Sequence, residues 1–205
     1  MHIVIEGQDG TGKDTQAQLL VEYLKSQGKN VYCYPESGTN STNPFLAKIA
    51  ELNYGSDQGI DNRTHSLLYL INRYEQWRTI AEPALKNNDI VITTRNWLST
   101  LIYMGYVGGM SKSAIIKSHK AILPERYFHP DKIVILTLTE EERAARRAAQ
   151  GERTTKEIWK SKPSEFQQKI NQSYLDVAKK YDIPTLSAAG TPEEVFERLK
   201  KLFEL

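Results

Sequence analysis

Cysteine is nearly absent from this chain, and so are a strong charge imbalance and long apolar runs. Cys33 is the only cysteine among 205 residues, so an internal disulfide bond is excluded and the composition fits a reducing compartment. Cys33 lies in an apolar run, which predicts a packed structural thiol. No apolar stretch approaches the roughly 20 residues of a membrane-spanning helix. A disulfide-stapled secreted domain and a membrane protein are therefore both disfavoured.

The charges of the chain are nearly balanced, with 27 Lys and Arg against 25 Asp and Glu and a formal net charge of +2. This balance gives no overall attraction to nucleic acid or to a membrane surface. The N-terminus opens in a strand-like run, without the basic region or cleavage site of a secretory signal. We expect a soluble cytoplasmic protein whose partners are small molecules, with no nucleic acid and no membrane among them.

Five short β-rich runs alternate with longer helical patterns. The β-rich runs occupy positions 2–6, 30–34, 89–93, 132–138 and 184–187. Helical periodicity covers positions 15–27, 43–52, 63–86, 99–119, 140–149, 165–181 and 192–205. Strands that alternate with helices are typical of right-handed βαβ units, which build a parallel sheet with helices on both faces. The order predicts an α/β fold in a single domain, residues 1–205, because no repeat or linker divides the chain.

The strongest motif follows the first predicted strand directly and precedes the first predicted helix. It reads Gly7-Gln8-Asp9-Gly10-Thr11-Gly12-Lys13, the G-x-x-x-x-G-K pattern in the strand–loop–helix context that a phosphate-binding loop requires. The glycines let successive backbone N–H groups point inward around phosphates, and the helix adds its positive N-terminal end. Lys13 would reach the β- and γ-phosphates. We therefore predict an ATP-binding P-loop over residues 7–15.

The residue after the lysine departs from this motif. Ser or Thr usually stands there and its hydroxyl binds Mg²⁺, whereas this chain has Asp14 followed by Thr15. A carboxylate oxygen is also a ligand that Mg²⁺ accepts. We therefore expect Mg²⁺ to accompany ATP as the cofactor, with Asp14 as the candidate metal ligand.

Further segments, together with the P-loop, resemble the thymidylate kinase (dTMP kinase) family, and the resemblance runs nearly end to end. The matched positions are Asp9 in the P-loop, Tyr34-Pro35-Glu36-Ser37-Gly38 after the second strand, Leu68-Tyr69-Leu70-Ile71-Asn72-Arg73 on the long helix, Thr94-Arg95 with Ser99, Thr100 and Tyr103 after the third strand, and Arg146, Arg147, Gly151 and Arg153 in a basic segment.

The resemblance implies a P-loop nucleoside monophosphate kinase fold, with a parallel five-stranded sheet flanked by helices and a basic lid. It implies that the chain phosphorylates dTMP to dTDP with Mg²⁺–ATP, and that it forms a homodimer. The lid would lie at about residues 143–162. Acceptor-site elements would lie at residues 34–39, 69–73 and 94–104.

By the same resemblance, the acceptor nucleotide would contact side chains with separate tasks. Tyr69 would stack on the base, since an aromatic face suits a planar ring, and Arg73 would donate to a base carbonyl. Arg95 would grip the acceptor phosphate with its planar fork. The other acceptor contacts would come from Asp9, Glu36, Ser99, Thr100 and Tyr103.

The resemblance also implies how the charge of the migrating phosphoryl group would be neutralised. Lys13, Arg95 and the lid arginine Arg153 would share this charge, because phosphoryl transfer depends on positioning and electrostatic stabilisation. Asp9 would orient the acceptor phosphate. Arg147 would contact ATP.

Three positions depart from the family pattern. Thr94 replaces an aspartate, Ser37 stands where many members have an arginine, and Met104 stands where glutamine is common. One alternative is therefore a kinase of another deoxynucleoside monophosphate, including one with a modified pyrimidine base. Another is a P-loop ATPase coupled to a partner, but the third predicted strand ends without the acidic residue that such an enzyme needs. A non-catalytic nucleotide-binding module is disfavoured by the intact lysine of the loop.

Overall fold

The central element of the fold is a five-stranded parallel sheet, seen in a computed structural model that describes residues 1–35, 38, 42–54, 59–149 and 164–205. The strands are β1 (His2–Gly7), β2 (Val31–Pro35), β3 (Ile90–Thr94), β4 (Lys132–Thr137) and β5 (Thr185–Ser187). They lie in the order β2-β3-β1-β4-β5, and every neighbouring pair is parallel. The predicted parallel sheet is confirmed. Its middle strand is β1, the strand that leads into the P-loop.

Ten α-helices occur among the described residues. They are α1 (Lys13–Ser26), α2 (Pro44–Tyr54), α3 (Asn62–Gln76), α4 (Glu82–Lys86), α5 (Trp97–Thr100), α6 (Lys112–Ile122), α7 (Glu125–Phe128), α8 (Glu140–Ala149), α9 (Ser164–Tyr181) and α10 (Pro192–Phe203). Two π-helical segments, Trp77–Ala81 and Leu101–Val107, follow α3 and α5.

The apolar core lies in two layers, one on each face of the sheet. Neighbouring strand residues alternate between them: Val91 packs in the cluster with α3, α5 and α9, whereas Ile92 packs in the cluster with α1 and α10. This alternation follows from the two-residue period of a strand, and helices on both faces are what a buried parallel sheet requires. The carboxyl ends of the strands are left open between the layers, and that edge is where ligands bind in open α/β sheets.

The prediction of one continuous helix over positions 99–119 is wrong. The structure has α5, a π-helical segment that ends at Val107, and then a new helix, α6. Gly109 has φ +77°, and a Cβ on Gly108 would come within 2.8 Å of the Tyr103 carbonyl oxygen, so this glycine pair ends the first helix. Ser111 then caps α6, because its side chain accepts a hydrogen bond from the Ala114 N–H.

The helix predicted at 63–86 is present but not uniformly α-helical. It begins at Asn62, where Asp61 accepts a hydrogen bond from the Thr64 N–H, and it ends at Lys86. The π-helical segment lies just before Pro83. Proline has no N–H to donate and its ring clashes with the preceding turn, so a widened turn ahead of it is a physically reasonable accommodation.

The prediction that Cys33 is packed in the core is wrong. β2 is an edge strand that pairs only with β3 in this sheet, and Cys33 is exposed on it. Partial desolvation, followed by the Asp14 carboxylate, raises the pKa of the Cys33 thiol to about 11. The sulfur is therefore protonated at neutral pH despite its exposure.

Among the described helices, none has both the length and the apolar content that a membrane span needs.

Candidate active site

The P-loop connects β1 to α1 at the open edge of the sheet. Gly7 has φ +147°, and a Cβ there would lie 2.7 Å from the Leu136 carbonyl oxygen on β4, so only glycine fits against the neighbouring strand. Gly12 is the N-cap of α1 with φ +87°. The positive φ angles let the loop turn tightly into the helix, with the helix N-terminus facing the loop.

Lys13 is held against the loop that it follows. Its Nζ lies 3.4 Å from the Gln8 carbonyl oxygen and 3.5 Å from Asp9 Oδ1, and the residue is only 5% exposed. Desolvation, followed by the nearby charge of Arg95, lowers the pKa of Lys13. The repulsion between the two neighbouring cationic groups would be relieved by a bound anion such as a polyphosphate.

Arg95 faces Lys13 across the Asp9 carboxylate. Its Nη2 donates to Asp9 Oδ1 in a short ion pair, and its backbone has φ +83° directly after β3. Burial works to lower the pKa of Arg95, but the Asp9 carboxylate raises it well above its ordinary value. Asp9 thus holds both cations at the carboxyl ends of β1 and β3, so the structure brings these three predicted residues together.

Tyr103 covers the same ion pair. The Arg95 Cζ lies 5.5 Å from the centroid of its ring, and its hydroxyl lies 3.5 Å from Asp9 Oδ2. Burial, followed by the Asp9 carboxylate, raises the pKa of this phenol, so the hydroxyl keeps its proton and can donate it. A ring in this position can contact a flat or apolar part of a bound molecule.

A second arginine forms a separate group on α3. Arg73 Nη1 donates to Thr100 Oγ1 at 2.5 Å and lies 3.4 Å from His119 Nε2, and its Cζ is 5.6 Å from the centroid of the half-buried Tyr69 ring. Thr100 directly follows Ser99, which accepts from Arg95. Consecutive residues of α5 therefore contact the two arginines.

His119 was not singled out from the sequence. Its Nδ1 lies 2.8 Å from the Ile115 carbonyl oxygen, which requires a proton on Nδ1 and leaves Nε2 as the acceptor for Arg73. Burial and the charge of Arg73 lower the pKa of His119 to about 3, so the ring is neutral. A lone histidine on a helix carries no local signal that an arginine 46 residues away will contact it.

One polar group that the sequence did not point to, Glu6, and two arginines of the predicted lid lie beside the other predicted residues. Glu6 is completely buried at the end of β1 and accepts hydrogen bonds from Ser99 and Tyr174. On α8, Arg143 Nη1 donates to the Asp9 carbonyl at 3.3 Å, and Arg146 Nη1 donates to the Thr11 carbonyl at 3.4 Å. Two arginines at the base of the predicted lid therefore lie directly on the P-loop.

The Gln8 side chain ties the P-loop to α9, the helix that follows the predicted lid. Its Nε2 donates to the carbonyl oxygen and to the Oε1 of Gln167, both at 3.0 Å, and both residues are buried. Meanwhile the Gln8 carbonyl accepts from Thr11 Oγ1 at 2.8 Å, which shapes the loop itself.

Several predicted site residues lie outside the part of the chain that the structure describes. They are Glu36, Ser37, Arg153, the side chain of Arg147, and the predicted lid beyond position 149. Thr94, which replaces the family's aspartate, is buried at the end of β3.

Asp14 and Thr15 lie exposed in the first turn of α1. Within the described residues, no group of three or more His, Cys, Asp or Glu side chains could hold a metal ion. Mg²⁺ nevertheless binds through one or two carboxylates together with substrate phosphates and water. An exposed carboxylate next to the P-loop lysine has the right donor chemistry, so Asp14 fits Mg²⁺ that arrives with a nucleotide.

Comparisons with known proteins match the chain almost completely. A family model described as thymidylate kinase matches residues 5–199. The chain is 30% identical over 203 residues to a thymidylate kinase of Caldicellulosiruptor saccharolyticus, with 98% of this chain and 95% of the relative covered. It is 32% identical over 203 residues to a thymidylate kinase of Mesoplasma florum, with 98% and 94% covered. A crystal structure of thymidylate kinase from Ehrlichia chaffeensis shares 25% identity at a TM-score of 0.75, with 99% of this chain and 98% of that chain covered.

Proposed function

The chain belongs to the thymidylate kinase family, and from this premise we propose that it acts as one kinase domain, residues 1–205, that converts ATP and dTMP to ADP and dTDP. The fold is that of the P-loop nucleoside monophosphate kinases. The observation that carries the proposal is the Asp9 carboxylate that holds Lys13 and Arg95 side by side at the P-loop.

In the proposed reaction, an oxygen of the dTMP phosphate attacks the γ-phosphorus of ATP. The bond to the β–γ bridging oxygen breaks, and ADP leaves with that electron pair. Lys13 and Arg95 neutralise charge on the phosphoryl group as it moves between the two oxygens, since phosphoryl transfer depends on positioning and electrostatics. Arg153 would join them from the lid, and Arg147 would contact ATP.

On the acceptor side, we assign the phosphate to Arg95 and Asp9 and the base to Arg73 and Tyr69. Arg73 is held between Thr100 and His119 with its guanidinium near the Tyr69 ring, so a base stacked on that ring would present a carbonyl to the arginine. The sugar would contact Tyr103. Glu36, Ser99 and Thr100 complete the assigned contacts.

Magnesium supplies a positive charge that neutralises the β- and γ-phosphate oxygens when it is bound with ATP. We propose that Asp14 binds it in place of the usual hydroxyl. Asp14→Asn should weaken Mg²⁺–ATP binding, measured by calorimetry without acceptor, and leave ATP binding in EDTA unchanged. An unchanged Mg²⁺ dependence would leave Asp14 as a helix N-terminal charge only.

We further propose that the enzyme is a homodimer. Leu67, Ile71 and Tyr74 form an exposed apolar stripe on α3, spaced so that they share one face, and Phe45 and Leu52 are exposed on the adjacent α2. A second copy of this chain is the occupant that the family resemblance implies. A cytoplasmic location belongs to the same proposal, because nucleotide substrates and a free thiol fit a reducing compartment.

The direct test is ADP formation from Mg²⁺–ATP, measured against every common dNMP and NMP. The proposal requires dTMP to be the best acceptor, with dUMP weaker and purine monophosphates poor. Rapid turnover of another deoxynucleotide without use of dTMP would favour the alternative that Thr94 and Met104 leave open. ADP formation that does not depend on any acceptor would instead indicate a coupled ATPase.

A further inference from the structure

Glu6 is a charged side chain with no contact to solvent. It ends β1, it is 0% exposed, and its carboxyl group accepts hydrogen bonds from two backbone N–H groups and two hydroxyls. The donors are Gly7 N–H at 3.2 Å, Asn96 N–H at 2.7 Å, Ser99 Oγ–H at 2.9 and 3.1 Å, and Tyr174 O–H at 3.2 Å. Every one of these neighbours is a donor, which is the environment of an ionised carboxylate.

The carboxylate determines which way the two hydroxyls point. An ionised carboxylate can only accept, so it draws the hydroxyl hydrogens of Ser99 and Tyr174 toward itself, although the two hydroxyl oxygens also lie 3.1 Å from each other. Their oxygen lone pairs are then free for Arg95 Nη1, which lies 2.9 Å from each oxygen. Glu6 therefore converts two groups that could donate or accept into acceptors for the arginine.

This arrangement shows which acceptors the terminal N–H groups of Arg95 use. Nη1 uses both hydrogens on Ser99 and Tyr174, and Nη2 uses one on Asp9. These three hydrogen bonds all use the two terminal nitrogens, and Tyr103 contacts the same guanidinium. A guanidinium that is held through its terminal nitrogens has a fixed plane, and a fixed plane suits the directional N–H contacts by which arginine binds a phosphate.

Glu6 also holds the backbone that carries Arg95. Arg95 is a non-glycine residue with φ +83°, a conformation that needs support from its surroundings. The Arg95 N–H donates to the Ile5 carbonyl at 3.0 Å, and the next N–H, that of Asn96, donates to Glu6. The strained residue is thus fixed on both sides by the end of β1.

We propose that Glu6 is a positioning residue for acceptor binding: it orients the hydroxyls of Ser99 and Tyr174 so that they accept from Nη1 of Arg95 and fix the plane of the guanidinium for the acceptor phosphate. The proposal rests on the proposed function, because Arg95 is assigned there to the acceptor phosphate. Glu6 itself touches no substrate in this assignment and acts through the arginine.

The substitution Glu6→Gln tests it with almost no change in volume. The amide has two N–H donors, so Ser99 or Tyr174 must accept from it and turn its own hydrogen away from position 6, which disturbs the acceptor pair that holds Arg95. We expect the KM for the acceptor to rise about 10- to 100-fold, the range for a lost hydrogen bond to a charged group, with little change in ATP binding. Glu22→Gln, on the exposed face of α1, makes the same change in net charge and should leave both constants unchanged.

A second background distinguishes positioning from folding. In a Ser99→Ala, Tyr174→Phe protein there is no hydroxyl to reverse, so adding Glu6→Gln should raise the acceptor KM less than about threefold, as expected for coupled neighbours. An equal effect of Glu6→Gln in both backgrounds, or an equal loss of ATP and acceptor binding, would overturn the proposal. If the wild-type enzyme uses a dNMP other than dTMP, the proposed function fails. The Glu6 proposal is then tested separately, by the same comparison with the acceptor that the wild-type enzyme does use.

Discussion

At the scale of single residues, the site consists of two arginines whose surroundings assign them different tasks. Arg95 pairs with Asp9, whose carboxylate also faces the P-loop lysine, and this position is the basis for proposing that it binds the acceptor phosphate. Arg73 contacts Thr100 and a neutral histidine, and its guanidinium lies near the Tyr69 ring. The difference lies in the neighbours, because the side chains are chemically identical.

Replacing His119 should disturb base recognition and leave ATP binding intact. His119→Leu removes the Nε2 acceptor while keeping an apolar side chain, so Arg73 loses one of its contacts. We expect the KM for dTMP to rise about tenfold, consistent with one hydrogen bond to a charged group, with the KM for ATP unchanged. The matched variant His119→Gln keeps an acceptor and should recover part of the loss. Equal increases in both KM values would contradict this role.

Replacing Lys13 should affect the rate more than binding. Lys13→Met keeps the buried stem but removes the ammonium group, which acts where charge develops in the transition state. Steady-state kinetics should show kcat lowered by about 100-fold or more, as for loss of one electrostatic catalytic group, with a smaller change in the acceptor KM. A loss in kcat of about tenfold or less would mean that the lysine is not a catalytic residue.

At the scale of elements, the P-loop is held from three sides. β1 positions its start, α8 contributes Arg143 and Arg146 to its carbonyl oxygens, and α9 contributes Gln167 to Gln8. Helices α8 and α9 lie on either side of the predicted lid segment in the sequence. Side-chain hydrogen bonds therefore join the phosphate loop to the two helices that precede and follow this segment in the sequence.

A double-mutant cycle on Gln8 and Gln167 should reveal this coupling. Each single change to Leu removes the buried hydrogen bond between the two side chains, so each should lower the free energy of unfolding by about 1 kcal/mol. The pair should lose clearly less than the sum of the two, and the affinity for ATP should follow the same pattern. Urea unfolding and ATP titration measure both quantities. Strictly additive losses would show that the contact seen at 3.0 Å does not join the two elements.

At the scale of the whole molecule, two features concern the assembled fold: a buried histidine in the central strand and an apolar surface stripe. His2 is 1% exposed, its ring contacts Trp77 edge-on at 5.4 Å between centroids, and neither ring nitrogen has a hydrogen-bond partner in the described part of the chain. The stripe on α3 lies on the outer surface of a helix whose other face belongs to the core.

His2 should make the fold sensitive to acid. Burial lowers its pKa to about 4, against 6.5 when exposed, so below pH 6.5 the unfolded chain binds a proton that the folded chain does not. Stability is therefore lost as pH falls from about 6.5 to 4 and is unaffected above that range. Wild type should lose about 2 kcal/mol more than His2→Phe between pH 7.5 and pH 5, measured by urea unfolding at both pH values. The contribution of His119 is present in both proteins and cancels. Parallel pH curves would contradict the prediction.

Measuring the oligomeric state tests the proposal that the apolar stripe on α3 is the dimer interface. Ile71→Lys places a charge at the centre of the stripe, and burying that charge in an interface is unfavourable. Light scattering should give twice the mass of one chain for wild type and the mass of one chain for the variant. Leu175→Lys, at an exposed apolar residue of α9, serves as the control and should remain dimeric. A wild-type protein with the mass of one chain would refute the dimer.

The sequence by itself determined the class of fold and the phosphate loop, because both depend on local rules. Alternating strand and helix periods require a parallel sheet covered on two faces, and a G-x-x-x-x-G-K run between a strand and a helix has few other uses. The confirmed five-stranded sheet and the glycine positions of the loop follow from such short-range constraints.

Tertiary structure alone decided which distant groups complete the site. The edge position of β2 exposes Cys33, and the strand order places Glu6 beside Tyr174, which lies 168 positions further along the chain. His119 lies on α6, a separate helix that begins after the helix end at Gly108, and the packing of α6 brings it to Arg73. Contacts of this kind have no local signal, because a buried carboxylate or a neutral histidine acquires its role from partners that only the packed fold brings within hydrogen-bond distance.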